Sequence, residues 1–290
     1  MSKLVFGMPK GSLQEPTVEL LLNAGYRVQI RPRSYYPAID DDQIQARLVR
    51  PQDMPRFVAR GAIDAGLTGA DWVAENQSDV VHVCDLVYAK QGLVPIRWVV
   101  AVPEGSAIRR VEDLQGKTIS TELVNVTQRF LSEHGVDAQV EFSHGATETK
   151  VPDLADAIVE LTETGSSLRA NRLRAVATVM ESVTQLIAAP QAWADPGKRV
   201  RIENLATLLQ GAVLGRTKVG LKMNVPAPAL QRVLALLPSL RNPTVSNLAD
   251  ESGYAVETVL DERVARELIP ELKRAGAEGI IEYSLNKVIL

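Results

Sequence analysis

Apolar positions along the chain switch repeatedly between two periods. Leu4, Val5 and Phe6 form a short β-prone run. A turn follows at Lys10-Gly11-Ser12, and Val18, Leu21 and Leu22 then take the spacing of a core-facing helix. The stretch "RPQDMPRFVARGAIDAGLTGADWVAEN" repeats this logic. Asp53 is placed as an N-cap, Met54, Phe57 and Val58 share a helix face, and Gly61 closes the helix. "AIDAGLTG" then reads as a strand and "ADWVAEN" as a helix. Strands alternating with helices predict an α/β sheet with parallel strands.

A second α/β unit opens with a strand over residues 98–102 and continues through the strand "KTIST" and a helix bearing Val126, Phe130 and Leu131. Within "VPDLADAIVEL", Leu154, Ala157, Ile158 and Leu161 lie at i, i+3, i+4 and i+7. That spacing predicts a helix with Asp153, Asp156 and Glu160 together on another face. Val176 and Val179 mark a further strand, and "VTQLIAAPQAWADP" leads back to the first unit. From about Thr207 the pattern changes: "LLQGAVLGRTKVGLKMNVP" reads as a long strand, and a helix with Leu230, Val233, Leu234 and Leu237 inward follows. Two strands ("PTVSNL", "GYAVETVL"), a helix and a closing strand complete a βαββαβ, ferredoxin-like order. The expected division is residues 1–97 with 186–206, residues 98–185, and residues 207–290.

The chain has 290 residues, 46% apolar and 23% charged, the composition of a soluble globular protein with room for two or three domains. A net charge of -3 gives no sign of a general nucleic-acid binder. One cysteine, Cys84, excludes an internal disulfide framework and reads as a buried small hydrophobe in a strand. No run approaches the ~20 apolar residues of a membrane span, and the N-terminal apolar run is too short for a signal peptide. A cytoplasmic protein is expected. With three histidines and no His/Cys cluster, a structural zinc site has no candidate ligands.

The most suggestive polar stretch is "LTETGSSL", with Thr162, Thr164, Ser166 and Ser167 around Gly165. Accessible amides and hydroxyls of this kind can wrap a phosphate without a lysine. A plain Ser/Thr turn after a solvated helix face explains the same residues. Lys10 beside Gly11 could present a point charge to a phosphate, or be an exposed lysine in a βα turn. Thr68, Gly69 and Asp71 stand at a strand C-terminus, where open α/β sheets bind ligands, and equally where a helix is capped. Arg31, Arg33, Arg47 and Arg50 with Tyr35 and Tyr36 suit a nucleotide, or a surface hairpin of mixed charge.

Taken in order, "MPKGSL", "LVRPQDMPRFVARGAIDAGLTGADWV", "GATETKVPDLADAIVELTETGSSLRANRLRAV" and the ferredoxin-like tail resemble the long form of the ATP phosphoribosyltransferase family over essentially the whole chain. The resemblance implies two lobes of periplasmic-binding-protein type around a catalytic cleft. It also implies transfer of the phosphoribosyl group of phosphoribosyl pyrophosphate to N1 of ATP, the first step of histidine biosynthesis. Thr164, Gly165, Ser166, Ser167 and Leu168 would cradle the 5-phosphate, with Asp156 and Ala157 against the ribose and Glu148 and Lys150 lining its approach. Lys10, Gly11, Arg50, Thr68, Gly69 and Asp71 would face ATP and pyrophosphate. Mg²⁺ would come with the substrate, and no residue need act as acid or base. The tail would bind L-histidine as inhibitor through Asn224, Thr244, Leu260 and Gly279. A chain carrying that tail would need no separate partner subunit and would form a homo-oligomer, from dimer to hexamer. The loop reads "GSSL" where many members carry threonine before the leucine, and Ser167 keeps that hydroxyl.

The competing class is a non-catalytic two-lobed receptor, which would not carry an acid-flanked hydroxyl loop ahead of a ferredoxin-like domain. The other common phosphoribosyltransferase architecture places a strand and paired acids before its Thr-rich loop. The helix expected before the loop here argues against it.

Overall fold

In the computed structural model, which describes residues 3–88, 95–238 and 242–290, the first sheet is built from strands whose buried positions are mostly apolar. Its order is Ile44–Val49, Leu4–Pro9, Ala65–Gly69, Thr184–Ala188, Val81–Leu86. The first three run parallel, whereas Thr184–Ala188 is antiparallel to both neighbours, so the sheet is mixed rather than parallel. Leu4, Phe6, Met8 and Leu67 are fully buried in it. The helix Gln14–Ala24 turns Thr17, Leu20, Leu21 and Ala24 inward. Leu22, expected on that face, is 56% exposed, because the stripe runs i, i+3, i+4, i+7 from Thr17. Phe57 is likewise exposed on Met54–Ala59, and the Asp53 side chain makes no capping bond there.

The second sheet has the order Leu173–Ser182, Ile96–Pro103, Ala157–Thr162, Thr118–Thr121, Gln139–Phe142. Ile96–Pro103 is antiparallel to both neighbours, and the remaining pairs are parallel. The chain leaves the first sheet after Val81–Leu86, builds all five strands of the second, and returns to place Thr184–Ala188 in the first. This is the two-lobed architecture expected from the sequence.

The segment expected to be a helix, residues 153–161, is instead a turn followed by the strand Ala157–Thr162. Ala157 and Val159 enter the core beneath one face of the sheet, with Trp98, Ile119 and Phe130. Ile158 enters the core on the other face, with Val99, Ala101, Leu168 and Leu173. A strand covered on both faces reads as an unbroken apolar run, and such a run meets the i, i+3, i+4 template by coincidence. Leu154, assigned to the buried stripe, is 73% exposed.

By their internal packing, residues up to Leu22 with Tyr26–Ala206 make one unit, and Asn23–Gly25 with Thr207–Leu290 make another. The expected long strand before Pro226 is a helix, Pro196–Gly215, followed by a strand of only Lys218–Pro226. Ile202, Leu205, Leu209 and Ala212 are buried at helical spacing. The second unit has the strand order Thr244–Asn247, Gly253–Asp261, Lys218–Pro226, Glu278–Ser284, antiparallel throughout. Helices Leu230–Leu236 and Glu262–Arg274 bury Val233, Ala265, Leu268 and Leu272 against it, the ferredoxin-like order expected.

Candidate functional site

A cleft of about 640 Å³ opens within the first unit, between the two sheets. Each side comes from strand C-termini and the turns after them, where main-chain groups and side chains leave the sheet together. The first sheet supplies Lys10, Gly11, Arg50, Gly69 and Asp71, all five expected from the sequence. The second supplies Glu122, Glu160, Leu161 and Glu163, with Trp98 and Ser182 at the base. Apart from the buried Asp71, cations therefore stand on one wall and carboxylates on the other.

Lys10 follows the strand Leu4–Pro9 directly, and Gly11 turns the chain at φ +106°. Lys10 Nζ donates to Tyr35 Oη at 3.0 Å and lies 4.1 Å from that ring's centre. The ammonium holds the Tyr35 phenol below its usual range. Two smaller pockets share Lys10: one of about 560 Å³ with Arg31, Arg33 and Tyr35, and one of about 360 Å³ with Tyr36, Arg47, Arg50 and Phe57. Five cationic side chains and exposed aromatic rings thus border the mouth of the cleft. That chemistry suits a polyphosphate bearing a flat base.

Two of the expected nucleotide contacts have other duties. Thr68 is fully buried and donates its hydroxyl to Pro51 O at 2.8 Å, so it anchors the Arg50 turn and does not line the cleft. Asp71 is 1% exposed and accepts from Trp98 Nε1 at 2.7 Å and from its neighbour Trp72 N at 2.9 Å. Its backbone N–H donates to Ser182 Oγ at 3.1 Å. Burial pushes its carboxyl up, and the bonds from Trp98, Trp72 and Ser182 partly offset this. Asp71 therefore ties the first sheet to two strands of the second. A side chain at Gly69 would collide with its Oδ1.

On the opposite wall, Ala157–Thr162 delivers Glu160 into the cleft and runs out into Glu163-Thr164-Gly165. Gly165 has φ +74° and starts the short helix Ser166–Ala170, which Leu168 pins to the core beneath. Gly165 N donates to Thr162 Oγ1 at 2.8 Å, and Thr164 Oγ1 to Ser166 Oγ at 3.0 Å. Ser167 Oγ donates to Glu148 Oε1 at 2.6 Å, and Lys150 Nζ to Ser143 Oγ at 2.9 Å. Thr164 to Ser167, Glu148 and the segment carrying Lys150 thus form one polar cluster beside the cleft wall. Glu160 is raised above the usual glutamate value by desolvation, and by Glu148 and Glu122 nearby, against bonds from Thr147 and the Leu161 N–H.

Asp156 and Ala157 are not brought to this loop. They stand at the other end of the strand, about 20 Å away at the ~3.3 Å rise of extended chain. Asp156 there accepts from Thr118 N at 2.9 Å and from Lys117 Nζ at 3.3 Å, which hold its carboxyl below the usual range. Helical geometry would have kept them near the loop. Glu160 and Glu163 take the place expected of Asp156. The sequence signal for them was the pair of acids at the end of an apolar run, hidden by the helical reading. Strand, acids and Thr-Gly loop stand in the order of the other phosphoribosyltransferase architecture, contrary to expectation, and the two-sheet topology separates the two.

In the second unit, Asn224 and Gly279 are exposed on neighbouring strands, joined by the pairing of Asn224 with Glu278. Thr244 is exposed on the far edge strand, and Leu260 is 2% exposed with its side chain in the core. Leu260 therefore offers no surface to a ligand. Among the described residues no cluster of three His, Cys, Asp or Glu side chains is arranged to hold a metal ion. No described helix is long and apolar enough to cross a membrane. Cys84 is buried, and burial pushes its thiol up to about 11.

The family model described as ATP phosphoribosyltransferase matches residues 50–211, and that described as HisG, C-terminal domain matches residues 215–287. The chain is 59% identical over 286 residues to the ATP phosphoribosyltransferase of Chlorobium phaeobacteroides, covering 99% of this chain and 97% of the relative. It is 56% identical over 287 residues to that of Pelotomaculum thermopropionicum, covering 99% of each. Among solved structures, the ATP phosphoribosyl transferase (HisG:HisZ) complex from Thermotoga maritima superposes with a TM-score of 0.62 at 26% identity. That match covers 72% of this chain and 97% of the other.

Proposed function

The chain belongs to the ATP phosphoribosyltransferase family, the pentosyltransferases that open histidine biosynthesis, and from that premise we propose how its cleft divides the two substrates. Phosphoribosyl pyrophosphate lies on the second sheet, its 5-phosphate in the loop Thr164–Leu168. ATP and the departing pyrophosphate lie toward Lys10 and Arg50. The observation that carries this reading is the strand Ala157–Thr162, which holds Glu160 in the cleft and a glycine-turned hydroxyl loop at its rim.

In the reaction, the N1 lone pair of adenine bonds to C1 of the ribose while the C1–O bond to pyrophosphate breaks, its electron pair leaving with the oxygen. N1 already carries its lone pair, so no base is needed to make the nucleophile. The cationic wall meets the growing charge of the leaving group. Glu160 and Glu163 accept hydrogen bonds from the ribose hydroxyls and favour the positive charge that develops on the ring. Fixed charges of this kind act without reorganisation in the transition state. The base and the ribose are held in line by the two walls, which removes much of the entropic cost of a two-substrate encounter.

The divalent metal of this chemistry is, in this proposal, Mg²⁺ carried by the substrate phosphates. The carboxylates of Glu160 and Glu163 in the cleft suit an ion that arrives already bound to phosphate. The ferredoxin-like unit is the L-histidine-binding regulatory domain, with Asn224, Gly279 and Thr244 as surface contacts. Because that domain is present in the same chain, the protein acts without a separate partner subunit, as a homo-oligomer up to a hexamer. Incubation with ATP, phosphoribosyl pyrophosphate and Mg²⁺ is expected to give pyrophosphate and phosphoribosyl-ATP in equal amounts, seen by phosphorus NMR. Absence of both products would sink the assignment. A merely receptor-like protein would bind one ligand and release neither product.

A further inference from the structure

The short helix Ala70–Asn76 follows a strand of the first sheet, but Trp72 and Ala74 pack on the core of the second. Its last turn leaves carbonyls without helical partners. Arg129 Nη2 donates to Ala74 O at 3.0 Å, and Asn125 Nδ2 to Glu75 O at 2.9 Å. In return the Glu75 carboxylate accepts the backbone N–H of Asn125 on Oε1 and of Val126 on Oε2, both at 3.0 Å. These are orphan donors in the first turn of Val124–Glu133, whose own N-cap residue, Leu123, makes no capping bond. The task that Ser or Asp performs locally in most helices is done here from the other sheet.

The same short helix also reaches the cationic wall. Asn76 Nδ2 donates to Gln52 O at 2.9 Å and to Trp72 O at 2.8 Å, while Thr68 Oγ1 holds Pro51 O. Gln52 and Pro51 directly follow Arg50, and all three line the cleft. The helix Ala70–Asn76 therefore joins the helix that follows Glu122 to the segment that carries Arg50.

We propose that Glu75 and Asn76 are positioning residues for the transfer reaction, making Ala70–Asn76 a relay through which the second sheet fixes Arg50 in the cleft. The proposal rests on the reading that places the leaving pyrophosphate toward Arg50. With the relay intact, the guanidinium is held at its working distance from the phosphoribosyl side. When Glu75 lets go of Val124–Glu133, the end of the helix nearest Gln52 loses its carboxylate tie to the second sheet, while Asp71 still holds the other end.

The test is a double-mutant cycle in the full-length protein, measuring phosphoribosyl-ATP formation together with thermal unfolding. Glu75→Ala is expected to lower kcat roughly 10- to 100-fold, the cost of about 1 Å of misplacement, with KM for either substrate changed less than about threefold. In an Arg50→Ala background the same substitution should change kcat less than about twofold, because its effect travels through Arg50. Asn76→Ala should behave in the same way, and Glu75→Gln should fall between wild type and Glu75→Ala. Should Glu75→Ala fail to fold, Glu75→Gln and Asn76→Ala complete the cycle. Multiplicative losses in the double variant would overturn the proposal, as would a lowered melting temperature with unchanged kcat. An inactive wild type would overturn the catalytic reading and this inference with it, whereas an active wild type with independent effects overturns the inference alone.

Discussion

Gly165 shows how one residue sets the loop proposed to hold the 5-phosphate. At φ +74° an L side chain costs about 1–2 kcal/mol, and an added Cβ would meet Arg169 Nη1 at 3.0 Å. Gly165→Ala is therefore expected to raise KM for phosphoribosyl pyrophosphate about tenfold or more while leaving KM for ATP within about twofold, as steady-state kinetics would show. Asp71 makes a different kind of demand, because both carboxylate oxygens accept from N–H groups. Asp71→Asn turns an amide NH₂ toward one of them and should cost about 1–3 kcal/mol in chemical denaturation. In the proposed mechanism Glu160 serves the chemistry at the expense of the fold. Its folded pKa lies above the ordinary glutamate value, so the folded state binds the proton more tightly. Stability then falls as pH rises through the window between the two values and stays lowered above it. Glu160→Gln should raise the melting temperature near neutral pH, remove that part of the pH dependence and lower activity. An unchanged melting profile would count against a desolvated carboxylate beside two others. Asp156 has the opposite sign: its lowered pKa contributes stability that is present above the ordinary aspartate range and lost as pH falls through the folded value.

At the scale of elements, legibility followed how many faces each element buries. The strand Gly253–Asp261, which leaves part of its length accessible, and the amphipathic Val124–Glu133 stood where the pattern put them. Ala157–Thr162 did not, because its two buried faces erase the period of two that marks a half-buried strand. That one misreading misplaced Asp156, grouped Glu160 with it on a helix face and left Glu163 unnoticed, although the loop residues themselves were legible as a hydroxyl-rich, glycine-turned stretch. The Asp71–Trp98 bond lay beyond sequence reasoning, since it joins residues brought together only by the crossing of two sheets. Likewise Thr68 was read as a contact because strand ends bind ligands, whereas burial gave its hydroxyl a backbone carbonyl to hold. The central place of this strand can be tested directly. Ile158→Ala removes a fully buried side chain and should cost about 2–5 kcal/mol, read from urea unfolding of the full-length protein.

For the whole molecule, the family model over residues 50–211 and the C-terminal model over residues 215–287 meet near the end of the helix Pro196–Gly215. A chain ending after Arg216 keeps that helix whole, and is expected to retain measurable transfer activity while losing inhibition by L-histidine. Equal histidine sensitivity in the shortened and full-length proteins would refute the regulatory role of the ferredoxin-like unit. The cleft itself joins two opposed walls, one cationic and one acidic, and its meaning depends on which substrate each wall holds. The measurement that decides this is the pair of KM values for Thr164→Ala/Ser167→Ala. The account expects KM for phosphoribosyl pyrophosphate to rise at least about tenfold, the equivalent of roughly 1.4 kcal/mol, with KM for ATP nearly unchanged. Equal rises for both substrates, or a rise for ATP alone, would contradict the assignment of this loop to the 5-phosphate.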